Sequence, residues 1–448
     1  MDKVIQLKLI KNFRKDRKLG KVYLFLFFLF VGLHKLDQIQ VFYTGISIKN
    51  FTIITPLFIP PIFLVLAFFK YRKIHVREKL TLSLQVFYAL SSFFILYIFF
   101  LAIYGVLIGN PTLYIFTEIW IYLIVILCMF LGSYNSVWED MYKPLTILFW
   151  IFCIPVFIGT YIPRLHLLES GAADYLIEKY GGLTPTGTLA YEIYPILDFF
   201  PIVFMLAVMY KKLDIWKILG LGTILIYFGF HIFFQKRAPS ARVIVYILMV
   251  FITFQLIKPS VFKMVKLIIP SIIGLVLLFS VVPIEGLVNR LNKSGEDKSR
   301  QNEVGVMISQ LEVHEWVLGR GFGGYFILGE TKDEYGLGAY QIKEGVFGKV
   351  NLHIGFFYPL LKGGIIFLFL TLSFFLPMTY RWMDKKWLAD KNNFAAFNII
   401  AVLFLFQFIE GPFSSGVTFL GVLYGLCWGR IATSYNQFSL KESKLIYS

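Results

Sequence analysis

The sequence predicts an all-α, polytopic membrane protein with about twelve transmembrane helices, each of the ~20 residues that cross a bilayer. Composition is the first observation behind this prediction: of 448 residues, 58% are hydrophobic and only 16% are charged. A soluble core cannot bury that much apolar surface, so lipid has to solvate part of it. The second observation is that the hydrophobic residues fall into long runs separated by charged stretches. Together they exclude a soluble enzyme, a β-barrel and a disordered chain.

The apolar runs define the predicted spans of a single integral membrane domain, residues 1–448. The basic tail from Lys3 to Lys21 precedes the first run and is too long and too charged for a cleavable signal, so we expect a retained first helix. The predicted spans are, in order, 21–37, 51–69, 82–104, 113–132, 144–162, 195–210, 216–234, 241–257, 265–283, 353–378, 394–410 and 414–430.

Lysine and arginine orient these helices. Of the 43 Lys and Arg residues, 27 lie in the two termini and in the short loops 70–79, 133–143, 211–217, 258–266 and 380–391. The positive-inside rule therefore predicts that both termini and these loops are cytoplasmic, which accounts for the net charge of +16 without nucleic acid. Loop 163–194 and the large loop 284–352 are then extracytoplasmic. We expect the large loop to form a subdomain that carries part of a functional site.

Several cations stand on the predicted extracytoplasmic side, against the positive-inside bias. They lie in the turn between the seventh and eighth spans and in the large loop: Lys236, Arg237, Arg242, Arg290, Arg300 and Arg320. Arginine is well suited to phosphate, because its planar guanidinium donates two parallel hydrogen bonds and stays charged. We expect several of these residues to converge on one anionic ligand. For each one, contact with lipid headgroups or pairing with the loop's own acidic residues is the alternative.

The large loop contains a predicted amphipathic helix, Asn302–Val317. Its apolar stripe comprises Val304, Met307, Ile308, Leu311 and Trp316, and its polar side comprises Glu303, Gln310, Glu312 and Glu315. Glycines follow at 319, 321, 323 and 324, and those at 319, 321 and 324 match GxGxxG without the strand and helix that a dinucleotide site requires. We expect Gly319, Gly321 and Gly324 to end the helix and to let the backbone pass close to a phosphate or a sugar. Gly321, Gly323 and Gly324 are second-tier candidates for substrate contact.

His353 is the candidate catalytic residue, at the start of the tenth predicted span. A histidine at a membrane mouth beside an arginine-rich loop can act as a general base near neutral pH. Gly364 shares its face on a continuous helix and would leave a groove for a lipid chain or a neighbouring helix. The alternative is a histidine that only hydrogen-bonds at the helix end.

Lys362 lies about 13 Å deeper than His353 at the usual helical rise. A lysine at that depth is costly, so we expect it to face a cavity or a carboxylate such as Glu118 or Glu410. It is a second candidate for substrate contact.

No metal site is predicted. The three cysteines, Cys128, Cys153 and Cys427, lie inside apolar runs without CxxC spacing. The sequence also has no paired acidic spacing of the kind that a two-metal site uses.

Taken in order, these motifs resemble the bacterial O-antigen polymerase and O-antigen ligase family. The matching residues are the arginine-bearing turn 235–242, Ser299-Arg300, the stretch Trp316-Val-Leu-Gly-Arg-Gly-Phe-Gly-Gly324, and His353 followed by the glycine pair Gly363-Gly364. Two positions depart from the family pattern. Ile354 stands where the family often has Asn, and Ser240-Ala-Arg242 replaces an adjacent Ser-Arg pair, so either Arg237 or Arg242 is the counterpart.

The resemblance implies a GT-C-like membrane glycosyltransferase that acts without metal or cofactor in the bacterial cytoplasmic membrane. Its partners would be an undecaprenyl-diphosphate-linked glycan, membrane lipids and a chain-length regulator protein. The reaction would join repeat units into O-antigen, capsular polysaccharide or exopolysaccharide, with inversion and with lipid diphosphate leaving. His353 would be the base or orient the acceptor, while Arg300 and Arg237 or Arg242 would hold the diphosphate. Arg290, Arg320 and Lys362 would support them.

Two other functions stay open at this point. An O-antigen ligase would transfer the glycan to a lipid A core. A transporter or flippase of lipid-linked sugars would make no covalent product, and an inverted repeat of the kind that transporters often carry is not evident in the sequence.

Overall fold

The computed structural model describes residues 2–33, 49–74, 82–156, 197–233, 237–258, 297–329, 340–343, 346–350, 352, 355–406 and 418–433. Over these residues the protein is mostly helical, as the sequence predicts. Within the described part of the chain, four helices are long and apolar enough to cross a membrane: Gln85–Leu107, Thr112–Gly132, Ser240–Ile257 and Phe357–Arg381. Shorter apolar helices cover Leu197–Val208, Ile215–His231 and Lys391–Phe406.

The helices in chain order are α1 (Asp2–Leu33), α2 (Lys49–Ile74), α3 (Leu82–Leu107), α4 (Thr112–Gly132), α5 (Asn135–Val156), α6 (Phe200–Val208), α7 (Ile215–Phe233), α8 (Arg237–Ile257), α9 (Asp297–Ser309), α10 (Val313–Leu318), α11 (Phe357–Ser373), α12 (Met378–Arg381), α13 (Lys385–Leu388), α14 (Lys391–Phe406) and α15 (Thr418–Thr433). A 3-10 turn, Leu197–Phe199, leads into α6. Each predicted span overlaps a helix except 265–283, which lies outside the described residues, as does loop 163–194.

The chain divides into two compact units. Unit 1 comprises Met1–Arg77, Tyr134–Val243 and Val265–Pro283, and unit 2 comprises Glu78–Ser133, Ile244–Met264 and Ile284–Ser448.

In unit 1, α1 packs along α2, and α5 packs against α1, α6 and α7. An ion-pair network ties the first three of these helices together. Arg17 Nε and an Nη atom each donate a 3.0 Å hydrogen bond to the Asp140 carboxylate, and the buried Tyr71 hydroxyl donates to Asp140 Oδ2 at 3.0 Å. The hydrogen bond to Asp140 raises the pKa of Arg17, and burial, reinforced by the Asp140 charge, raises the pKa of Tyr71. Both groups therefore keep their neutral-pH protonation well into the alkaline range.

In unit 2, α4 and α15 pack in very close contact. Three glycines on α15, at 421, 425 and 429, form a GxxxGxxxG stripe that lets the two backbones meet. A Cβ added at Gly429 would clash with the Met129 carbonyl oxygen, and one at Gly425 with that of Val125. Small residues are thus required at this helix pair.

The segment 297–350 differs from the prediction in two ways. The predicted helix Asn302–Val317 is two helices, α9 and α10, because Glu312 begins a new helix with a capping box in which Glu315 is the partner. Three short antiparallel strands also follow, β1 (Phe326–Gly329), β2 (Tyr340–Lys343) and β3 (Val346–Lys349), in the order β1-β3-β2. Phe326 pairs with Lys349, and Tyr340 with Gly348. The segment is therefore a mixed helix-and-strand element within a mostly helical protein.

The predicted polar and apolar sides of the loop helix agree only partly with the observed burial of its residues. Val304, Met307 and Leu311 are buried as predicted. Trp316 is exposed, however, and Glu303, which was predicted on the polar side, is buried in an ion pair with Lys349 on β3. Folding of the strands over α9 explains the burial of that carboxylate.

The tenth predicted span also begins later than predicted, since α11 starts at Phe357 rather than at residue 353. It is interrupted at Gly363 (φ −135°, ψ 18°) and Gly364 (φ 62°, ψ −161°). The helix that contains Gly364 is therefore not continuous, and the predicted relation of Gly364 to His353 lies outside the described residues.

Candidate functional site

The predicted site residues divide according to what the structure describes. His353, Arg290 and Lys236 lie outside the described residues. Arg237 is the first residue of α8 and Arg300 lies in the first turns of α9, and only their backbones are described. The residues described with their side chains or Cβ positions are Arg242, Arg320, Lys362, Gly321, Gly323 and Gly324.

Lys362 forms a fully buried ion pair with Glu118 of α4, one of the two carboxylates that its depth predicts. Lys362 Nζ lies 2.7 Å from Glu118 Oε1, and the two side chains are 0% and 5% exposed. The same ammonium donates a 2.6 Å hydrogen bond to the Gly324 carbonyl, and the Gly323 amide donates to Glu118 Oε2 at 2.8 Å. Two helices and the glycine segment, residues 319–324, therefore meet at one compensated pair of charges.

The glycine segment passes close to protein backbone rather than to an open binding space. At Gly321 (φ 67°) a Cβ would lie 2.8 Å from the Gly105 amide nitrogen of α3, and at Gly319 (φ 70°) it would clash with the backbone at Lys362 and Gly363. The Phe322 amide donates to the Leu101 carbonyl at 3.1 Å. Gly319 ends α10 as expected, and the neighbours that this segment approaches closely are α3 and α11. Its approach to a phosphate or a sugar stays a prediction.

The break in α11 leaves backbone carbonyls free to accept hydrogen bonds from the glycine segment and from α3. Where Gly363 and Gly364 leave helical geometry, carbonyls of the preceding turn lose their helical donors. The Arg320 amide donates to the Leu361 carbonyl at 2.8 Å, and the Tyr97 hydroxyl donates to the Gly363 carbonyl at 2.9 Å. A Cβ at Gly364 would clash with the Val317 backbone, so α10 occupies the space that a side chain would need.

Arg320 is held by its own segment. Its Nε donates to Glu315 Oε1 at 3.0 Å, and its Nη atoms donate to Glu315 Oε2, the Tyr325 carbonyl and the Gln310 carbonyl. These bonds engage most of the guanidinium donors. For Arg320 the contacts match the alternative of local pairing.

One buried cluster links α9, which carries Arg300, to Leu352 and to α11. Met307 of α9 and Leu311, which follows that helix, pack with Phe326, Leu352 and Leu361. Leu352 immediately precedes His353, and Arg300 precedes Met307 by two helical turns. The fold therefore brings together two chain segments that are far apart in the sequence.

Unit 1 contains buried polar groups on both sides of residues 234–236. Arg242, a predicted site residue, and Ser240 are buried on α8; His231 on α7 is also buried, and Tyr227 donates a hydrogen bond to Asp198, and these last three residues were not among the predicted ones. His231 follows from no motif; its position at the end of a span, beside the arginine-bearing turn, is the signal that could have identified it.

Among the described residues, no group of three or more His, Cys, Asp or Glu side chains has the geometry to hold a metal ion. In comparisons with known proteins, no family model, no curated protein and no solved structure matches this chain.

Proposed function

We propose that this protein is a membrane glycosyltransferase of GT-C-like architecture that polymerises undecaprenyl-diphosphate-linked repeat units at the outer face of a bacterial cytoplasmic membrane. Both termini are cytoplasmic in this proposal, and segment 284–352 is extracytoplasmic. The product is an O-antigen, capsular polysaccharide or exopolysaccharide. The resemblance of the ordered arginine, glycine and histidine motifs to the O-antigen polymerase and ligase family is its sequence basis.

The structural observation that carries the proposal is the buried cluster of Met307, Leu311, Phe326, Leu352 and Leu361. It ties the helix that contains Arg300 to the residue next to His353 and to the start of an apolar helix, α11. A base and an anion-binding arginine on these elements would act at the end of a membrane helix, where the diphosphate of a polyprenyl lipid lies.

The proposed chemistry needs few groups, because lipid diphosphate is already a good leaving group. The acceptor hydroxyl oxygen attacks the anomeric carbon of the donor sugar, and His353 takes its proton. The bond between that carbon and the diphosphate oxygen breaks, and its electron pair leaves with the polyprenyl diphosphate. Arg300 and Arg237 or Arg242 stabilise the negative charge that develops on the leaving oxygen.

The test is incubation of the purified full-length chain in lipid nanodiscs with undecaprenyl-diphosphate-linked repeat units. We expect a ladder of longer lipid-linked saccharides. Transfer to an added lipid A core would instead identify a ligase. Absence of any covalent product, with movement of the lipid-linked sugar across vesicles, would identify a transporter.

Two substitutions test the assigned roles. Removal of a general base typically lowers the rate by about 10²–10⁴-fold, so His353→Ala should abolish the ladder. Arg300→Lys keeps the charge but loses the bidentate fork, and we expect it to slow polymerisation strongly. His314→Ala, at an exposed histidine of the same loop, is the control. Full-length polymer from His353→Ala at normal membrane levels would refute its role.

A further inference from the structure

The turn between α3 and α4 marks the level of the membrane boundary in unit 2. Both helices are long and apolar enough to cross a bilayer, and residues 108–111 join the end of α3 to the start of α4. Exposed apolar side chains continue up to this turn on both sides of it, since Leu107 is 78% and Leu113 71% exposed. Apolar surface of this extent fits lipid rather than water, so the ends of α3 and α4 lie within or at the edge of the apolar layer.

The glycine segment lies deeper than these helix ends. The Phe322 amide bonds to the carbonyl of Leu101, six residues before the end of α3, and the Gly323 amide bonds to Glu118, six residues after the start of α4. Six residues correspond to about 9 Å at the usual helical rise. Two independent contacts therefore give the same depth.

Contacts with α11 and with aromatic rings agree with this depth. Gly319 approaches the backbone of Gly363, six residues after the start of α11. The Phe322 ring is fully buried, stacks on Tyr122 with centroids 5.2 Å apart, and meets Phe367 edge-on at 6.2 Å. Tyr122 is ten residues, or about 15 Å, from the start of α4, which is half of the ~30 Å apolar layer.

Backbone without helical hydrogen bonds is tolerated at such a depth only where protein groups satisfy it. Asn110, in the turn between α3 and α4, meets this need for two carbonyls: its Nδ2 donates to the Arg320 carbonyl at 2.7 Å and to the Phe322 carbonyl at 2.9 Å. Lys362 Nζ donates to the Gly324 carbonyl. Side chains thus take the place of the water that would bond these carbonyls outside the membrane.

The short helix α10, which leads into the glycine segment, has one exposed apolar side. Val313, Trp316 and Val317 are spaced three and four residues apart, so they share a face, and all three are exposed. Polar residues, Glu312 and His314, are exposed at the start of the helix. Another side of α10 packs against α11. The helix therefore has a polar beginning and an unburied apolar stripe.

The end of α10 lies at the depth of the break in α11. A Cβ at Gly364 would clash with the Val317 carbonyl, and Gly364 is seven residues after the start of α11. Val313 is about 6 Å from Val317 along the helix and next to the exposed Glu312, so it lies at the water-facing end. A polar end in water and an apolar stripe with a tryptophan below it are typical of a helix at a membrane interface.

We propose that residues 313–324 are a re-entrant element of the membrane domain, and that Trp316 and Val317 bind the acyl chains of the surrounding leaflet. In the orientation proposed above, the element enters and leaves the outer leaflet from the extracytoplasmic side. Asn110 holds it there. Lipid is the partner that the depth favours, because the stripe lies level with the lipid-facing ends of α3 and α4. This inference does not depend on the proposed reaction.

The experiment measures the surroundings of single spin labels by electron paramagnetic resonance. Val317→Cys and His314→Cys are labelled in the full-length chain in phosphatidylcholine nanodiscs; the native cysteines are buried, and the labelled parent gives their background. Oxygen concentrates in lipid, whereas a nickel chelate stays in water. We expect the ratio of oxygen to nickel collisions to be several-fold higher at Val317 than at His314, and close to that of Phe116→Cys on the exposed side of α4.

The other outcomes would overturn the proposal. A ratio at Val317 equal to that at His314 would place the stripe in water. Low access of both reagents to Val317 would mean that protein, such as a second copy of the chain, covers the stripe. Failure of the polymerase proposal is distinguishable, because a lipid-like ratio in a protein that makes no polymer would support the re-entrant element and count against polymerisation alone.

The role of Asn110 is tested in the same labelled protein. Asn110→Asp keeps the shape of the side chain but removes the N–H donors of the Arg320 and Phe322 carbonyls. We expect the collision ratio at Val317 to fall toward the value of a water-exposed site. Thr117→Val, which removes a hydroxyl that bonds within α4, is the control and should leave the ratio unchanged. An unchanged ratio in Asn110→Asp would refute its assigned role.

Discussion

Lys362 and Glu118 each depend on the other, because both charges are withdrawn from water. Removing one partner of a buried ion pair usually costs about 3–5 kcal/mol, since the remaining charge stays buried and unpaired. We therefore expect Lys362→Met to destabilise the protein by about that amount. The measurement is thermal or SDS-induced unfolding of the purified protein, followed by circular dichroism.

The double variant Lys362→Met/Glu118→Leu tests whether the loss of stability comes from the unpaired charge. Replacing both charges by apolar groups is often nearly neutral for stability. The double variant should therefore recover most of the stability that the single one loses. Lys386→Met, at an exposed lysine, is the matched control. A single variant as stable as the parent would contradict the role of the pair.

The buried Tyr71 should make the folded protein less stable as the pH becomes alkaline. Its pKa is raised in the folded protein, mainly by burial, above the ordinary tyrosine value of about 10. Above about pH 10 the unfolded chain ionises at this position while the folded chain stays neutral, so its contribution to stability is present below pH 10 and is lost as pH rises. Tyr71→Phe should be less stable than the parent at pH 7 and should lose less stability between pH 9 and 11. If the parent and Tyr71→Phe lost the same unfolding free energy between pH 9 and 11, this prediction would be wrong.

At the scale of the element, the α4–α15 contact offers a matched pair of glycines. A Cβ at Gly421 meets the tip of the Val125 side chain at 3.0 Å, which can move, whereas one at Gly429 meets backbone. We expect Gly429→Ala to destabilise the protein by about 1–3 kcal/mol or more, the usual cost of overpacking, and Gly421→Ala to cost less. Unfolding in SDS measures both. An equal loss of stability in Gly429→Ala and Gly421→Ala would contradict this prediction.

Hydropathy predicts where helices lie better than it predicts how they end. The spans follow from the length of the apolar runs, and the Lys362–Glu118 pair follows from the cost of a charge at depth. The break at Gly363 and Gly364 could not be predicted from the sequence, because a glycine pair in an apolar run is also compatible with a continuous helix. The boundary between α9 and α10 could not be predicted either, since the apolar stripe keeps its phase across Glu312. The GxxxGxxxG stripe of α15 is present in the sequence but was not among the predictions.

Short strands and buried acids depend on tertiary contacts. The strands Phe326–Gly329, Tyr340–Lys343 and Val346–Lys349 have four residues each, too few for a period to be recognised. Glu303 has a partner only because β3 brings Lys349 beside it.

At the scale of the whole molecule, the proposed orientation can be tested with introduced cysteines. The native Cys128, Cys153 and Cys427 are buried, so they should react little with a membrane-impermeant maleimide. Val313 is 88% and Leu213 is 82% exposed. On intact cells we expect Val313→Cys to be labelled and Leu213→Cys to be labelled only after the membrane is permeabilised. The opposite pattern would invert the proposed topology.

The Lys362–Glu118 pair also constrains the order in which the protein can be made. The ribosome releases α4 long before α11, so Glu118 has to wait in the membrane without its counter-charge until α11 is inserted. Each helix alone carries a charge that lipid disfavours, and only their meeting removes the penalty. A nascent chain that stops before Phe357 therefore retains the Glu118 charge without its Lys362 partner.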